Sequence, residues 1–119
     1  TIITTTPHHT MLNERIQQIL EVAGRKLHDE FPSMYWRYRI EPGRKYIKVA
    51  TGHSMDIDEP DPTQWSVWCF FDKNTGDVYK PASWKAPAKG IRYNLLDDAS
   101  FKVALQKADP YGSWLYLRK

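Results

Sequence analysis

The hydrophobic spacing changes period at Pro32, and this change constrains the fold more than any other feature of the chain. Before it, Leu12, Ile16, Ile19, Leu20, Ala23 and Leu27 recur at intervals of three and four residues, with Phe31 in phase beyond them. Asn13, Glu14, Arg15, Gln17, Gln18 and Glu21 fill the other faces, so the segment predicts an amphipathic helix with one face in the core. Thr6 before Pro7, or Thr10, suits its cap, and Pro32 stops it near Phe31. After Pro32, Met34, Trp36, Tyr38 and Ile40 alternate with Tyr35, Arg37 and Arg39. That is the period of a strand with one face inward.

"EPGR" then makes a turn, "KYIKVA" returns as a second strand, and "TGHSMDIDEPDPTQ" is a long polar loop. "WSVWCFF" is apolar enough to be a central strand covered on both faces. "DKNTG" leads into "DVYKP" as a hairpin, with Gly76 at a positive backbone angle. "DDASFKVALQKA" predicts a short helix capped by Asp97 or Asp98, with Phe101, Leu105 and Ala108 facing in. "DPYGS" is a turn and "WLYLR" a final strand. No repeat or linker divides the 119 residues. The expectation is one α+β domain, with an N-terminal helix and a shorter C-terminal helix packed on an antiparallel sheet of about four to five strands. Residues 1–9 are expected to form a poorly ordered arm.

The net charge is only +3, but its distribution is uneven. Asp56, Asp58, Glu59 and Asp61 crowd the polar loop, whereas Lys80, Lys85, Lys89 and Arg92 fall in "YKPASWKAPAKGIR", which has no acid. Pro81 and Pro87 interrupt any helix there, so loop geometry decides whether the cations converge. Lysines neutralise phosphates in a salt-sensitive way, and Trp84 or Tyr79 would stack on unpaired bases. Trp84 could instead anchor the loop in the core. Arg37 and Arg39, with Tyr35, extend the surface if that strand face is open. The expected binding residues are therefore Tyr79, Lys80, Trp84, Lys85, Lys89 and Arg92, with single-stranded nucleic acid as partner.

Catalytic and metal chemistry find little footing. Cys69 is the only cysteine and lies in an apolar run, as a small buried thiol would; a reducing compartment fits. "DIDEPD" has carboxylates but not the glycine-containing frame of a calcium loop. His8, His9, His28 and His53 have no third ligand placed by spacing. There is no nucleophile elbow, phosphate-cradling glycine loop or paired C-x-x-C motif. No catalytic residue, metal or cofactor is expected. No apolar run approaches the roughly 20 residues of a bilayer span. "TIITTTPHHT" lacks the character of a signal peptide, so a soluble intracellular protein, or one already processed, is expected.

"SVWCFFDKNTGDVYKPASWKAPAKGIRYNLL", from Ser66 to Leu96, resembles a segment of small bacteriophage-encoded proteins. They share an aromatic strand, a D-K-x-T-G-D-V turn, K-x-A-x-W-K-A-P-A-K and a following arginine. The resemblance implies that Asp72, Gly76, Lys80, Trp84, Lys85, Pro87 and Lys89 belong to a shared signature, and it brings no catalytic residue with it. It implies a phage origin; with no catalytic motif in the chain, a small non-enzymatic phage accessory protein in the host cytoplasm is expected. Such a protein would bind single-stranded nucleic acid, or inhibit or redirect a host protein, or serve in virion assembly. In the second case the acidic loop is an alternative contact surface.

Overall fold

In the computed structural model, which describes residues 7–54 and 65–116, the first element is a 24-residue helix, α1 (Pro7–Glu30). Proline suits the first helical position because its missing N–H would have no partner there. The helix thus takes in residues 7–9 of the expected arm. The stripe Leu12, Ile16, Ile19, Leu20, Ala23 and Leu27 is buried. Phe31, in phase by sequence, lies past the helix end and is exposed, its N–H donating to the Leu27 carbonyl at 2.7 Å.

Five strands follow the helix: β1 (Tyr35–Pro42), β2 (Tyr46–Ser54), β3 (Ser66–Asp72), β4 (Asp77–Tyr79) and β5 (Tyr93–Asn94). They form one antiparallel meander in chain order. Directly opposed residues share a face. Ile47, Phe71, Val78 and Tyr93 therefore make one apolar row across four strands, and all are buried. That face carries α1 and the second helix, α2 (Asp98–Lys107), which joins the same core through Phe101, Ala104 and Ala108. Asp97 caps α2, its carboxylate accepting from the Ser100 N–H at 3.0 Å. Arg15 fastens the two helices by donating to the Leu95 carbonyl at 2.7 Å and to Asp98 at 2.6 Å. Lys26 donates to the Gln106 and Ala108 carbonyls at the C-terminal end of α2, where helix carbonyls lack partners and a cation is favoured.

The β3–β4 hairpin forms as expected. The buried Asp72 carboxylate accepts from the Asn74 and Thr75 N–H groups, and Gly76 closes the turn at φ +78°. The last strand does not form. Asp109 accepts from the Tyr111 and Ser113 N–H groups and from the Ser113 hydroxyl, winding the chain through Gly112 (φ +82°) into a 3-10 turn, Ser113–Leu115. Trp114 and Leu115 are both buried. Consecutive residues can both face a core on a helical turn, whereas a strand would send them to opposite faces. Residues 117–118 of the expected strand lie outside the described residues. The fifth strand is instead Tyr93–Asn94, paired with β4 and anchored by the Tyr93 hydroxyl donating to the Trp114 carbonyl at 2.8 Å.

Cys69 is fully buried on β3, and burial pushes its thiol pKa well up. A maleimide reagent added to the native protein at pH 7.5–8, an ordinary labelling range of about that value, is expected to leave Cys69 unmodified until urea unfolds the chain. Stoichiometric native labelling, read by mass spectrometry, would refute the placement of β3.

Candidate nucleic-acid interface

The opposite face of the sheet carries different chemistry. On β1, Arg37, Arg39 and Glu41 alternate with the helix-side residues Trp36, Tyr38 and Ile40. Glu41 opposes Lys48 on β2, Lys48 opposes Phe70 on β3, and Phe70 opposes Tyr79 on β4. This outer row thus runs acid, cation, aromatic, aromatic. Tyr46 adds edge-on ring contacts to Phe70 and Tyr79, with centroids 6.1 and 5.8 Å away. Phe70 is buried although neither helix covers this side. Partial burial, together with the negative charge of Asp77, pushes the Tyr79 phenol pKa up, so it stays neutral as a donor and stacking ring.

The basic loop is a built structure. Pro81 and Pro87 face each other in an antiparallel bridge, and the Ala88 N–H donates to the Lys80 carbonyl at 2.7 Å. Between them, the Ala82 and Ser83 N–H groups donate to the Ala86 carbonyl, while the Ser83 hydroxyl accepts from the Lys85 and Ala86 N–H groups. These bonds put Trp84 and Lys85 at the tip of a small hairpin. The tip sits by the outer row. Lys48 donates to the Trp84 carbonyl at 3.2 Å, and its ammonium lies 4.2 Å from the centre of the Trp84 ring. Trp84 remains 41 % exposed, so it is not sunk into the core. A cation held against one side of an exposed indole leaves a polarised platform for stacking.

Not all the expected residues meet. Tyr79, Trp84 and Lys85 gather around Lys48 and Tyr46. Lys80 does not join them: it follows Tyr79 in an extended segment and so points to the other side of the sheet, its ammonium 4.3 Å from the Tyr116 ring. Lys89 is exposed on the descending arm of the loop. Arg92 is half-buried just before β5, with its Nε buried and without a hydrogen-bond partner.

Strand alternation singles out Arg37, Arg39 and Tyr35 for this face, and register places them on it. Arg39 also stacks over Trp65, 4.4 Å from the ring centre. Lys48 is a site residue that the sequence reading misses, although its position between the buried Ile47 and Val49 in "KYIKVA" carries the signal. Its pairing with Trp84 depends on a contact 36 residues away, which no local pattern reveals.

A separate cleft of about 410 Å³ lies near the far end of β2, lined by Trp36, Trp65, Tyr111, His53 and neighbours. Among the described residues no three His, Cys, Asp or Glu side chains come together to hold a metal ion. The acidic segment Asp56–Asp61 lies outside the described residues. No described helix is long and apolar enough to cross a membrane.

Two helices on one face of an antiparallel meander, with cations and aromatic rings on the other, define a two-layer α+β protein that keeps one sheet face clear of its helices. The chain belongs to a family of unknown function (DUF7717), whose sequence model matches residues 3–117. No curated protein and no solved structure matches it.

Proposed function

We propose that the protein is a small non-enzymatic binding protein that takes single-stranded nucleic acid across the outer face of its sheet. The carrying observation is Trp84, half-exposed at the loop tip over Lys48 and beside Lys85. Arg39, Lys48 and Lys85 meet phosphates, while Trp84, with Tyr79 and Tyr46 behind it, stacks on unpaired bases. This surface moves the emphasis from Lys80 and Arg92 to the cations of β1 and β2. A sheet face suits a single strand because splayed bases can lie flat on it, whereas paired bases hide their faces. A phage accessory role in the host cytoplasm is proposed on the resemblance of Ser66–Leu96.

The test is a tryptophan-fluorescence titration with single-stranded and duplex oligonucleotides at several salt concentrations. Single strands are expected to quench the emission and bind more tightly than duplex. With about three to four phosphates neutralised, the slope of log affinity against log salt should be about −2 to −3. Absence of binding at low salt would overturn the proposal.

A second reading has one observation in its favour. Among the described residues β1 is an edge strand with no partner on its outer side, and Tyr38 and Ile40 on it are exposed. An extended segment of a host protein, or a second copy in an assembly, would add there as another strand. Binding through that edge would be insensitive to Trp84 and weakly dependent on salt.

A further inference from the structure

Beside the loop tip, the β1–β2 turn and the outer face enclose a groove of about 370 Å³. Arg44, Lys45, Lys48 and Lys85 line it, with Tyr46 and Phe70 as its aromatic floor and Glu41 as the one acid among the described lining residues. Four cations around one acid leave an excess of positive charge. The acid is placed in an unusual way. Its Oε2 lies 3.7 Å from the Arg39 guanidinium and 3.9 Å from the Lys48 ammonium. Those are ion-pair separations, longer than a hydrogen bond. The same oxygen is buried and has no hydrogen-bond donor among the described residues. A buried carboxylate oxygen normally collects donors, because leaving it without them is costly. Here the cations surround it without closing on it.

We infer that this groove is a phosphodiester subsite for the single strand, and that Glu41 fills it as an internal counter-ion in the unbound protein. The inference rests on the nucleic-acid reading above and goes further, assigning one anion position and the residue that competes for it. A phosphodiester carries the same single negative charge as the carboxylate but is not tethered to β1, so it can settle at hydrogen-bonding distance from Arg39 and Lys48 together while Lys85 closes from the loop tip. The adjoining base then lies within reach of Trp84, which Lys48 already holds. Glu41 is partly exposed and can swing outward, since only the two long ion pairs tether it. Its presence weakens binding and offsets part of the repulsion among the cations of the groove in the free protein.

Removing the charge should therefore strengthen binding, whereas the loss of a contact residue would weaken it. Glu41→Gln keeps the shape of the side chain, and Glu21→Gln removes an equal charge from the exposed side of α1, across the core from the groove. Affinity for a labelled oligothymidylate is measured for both variants and the parent protein over a salt series. Glu41→Gln is expected to bind about fivefold more tightly at low salt, and Glu21→Gln less than about twofold. The salt slope of Glu41→Gln should also steepen by about 0.7, one phosphate's worth. Equal gains in the two variants would overturn the inference, reducing Glu41 to a share of the net charge while leaving the nucleic-acid reading intact. No binding by the parent or by Glu41→Gln would overturn both. Thermal melts of each variant check that the turn remains folded, and a Glu41→Gln protein that melts as the parent does but binds no better also rejects the subsite.

Discussion

Replacing Phe71 with alanine is expected to cost about 3–5 kcal/mol, a large part of the roughly 5–15 kcal/mol that holds a domain of this size together. Phe71 is completely buried near the end of β3, the middle strand of the sheet, opposite Ile47 on one side and Val78 on the other. Helix residues close the same core from above, so the cavity left by the ring has no wall free to collapse. In urea denaturation the midpoint should fall sharply with little change in slope. Phe70→Ala is the informative partner, because that ring is equally enclosed by area but faces the basic groove. Water and flexible lysine side chains can enter the space it vacates, so its cost should be clearly smaller. Equal losses would mean that the outer face is packed as rigidly as the helix-side core, and that would undermine its use as a binding surface.

Phe70 and Phe71 also mark how far the chain itself is legible. The apolar stripe of α1 has a period that only a helix satisfies, and the alternation in β1 has that of a strand, although Tyr38 and Ile40 on its helix side are exposed. The nearly continuous run of β3 reads as a strand covered on both faces, whereas the helices cover only one, and Phe70 on the other packs against Tyr46. Gly76 is legible because a tight hairpin after Asp72 needs positive φ, and the structure gives +78°. A Cβ there would stand 2.7 Å from Leu96 Cγ, so the turn also demands a residue without a side chain. The C-terminal turn reads wrongly as a strand because Trp114, Leu115 and Tyr116 have strand-like composition. Local propensity loses to the Asp109 cap and the Tyr93 anchor, whose hydroxyl comes from 21 residues away. β5 is hidden for a related reason: two residues give no period, and only pairing with Val78 makes them a strand.

The site is legible in composition but not in geometry. The loop's cations and Trp84 stand out as an acid-free cluster, yet strand alternation sends Lys80 to the other side of the sheet. Reading Tyr79 and Lys80 residue by residue as extended chain is enough to separate them. Lys48 and Glu41 join the proposed interface through a cross-strand pair, and register is a tertiary fact.

Trp84→Ala is expected to weaken single-strand binding by about tenfold to hundredfold, in keeping with roughly 1–3 kcal/mol for a stacked base, while leaving the melting temperature nearly unchanged. The unchanged melting temperature is expected from how the loop is held. Its closure depends on backbone bonds around Ser83, Ala86 and Ala88 and on the facing prolines, none of which uses the indole. Among the described residues the indole's strongest attachment is to the Lys48 ammonium, a partly buried cation–π contact worth about 0.5–2 kcal/mol. Lys48→Met should therefore weaken binding both by losing a phosphate contact and by freeing Trp84, and the two substitutions should not be additive. In a double-mutant cycle, the combined loss is expected to fall short of the sum. A strictly additive result would mean that Lys48 and Trp84 contact the strand independently. If Trp84→Ala instead lowered the melting temperature by several degrees and left affinity untouched, the tip would be a clasp that pins the loop to β2. Binding would then have to lie elsewhere, with the edge of β1, where no described strand pairs, the surface to examine next.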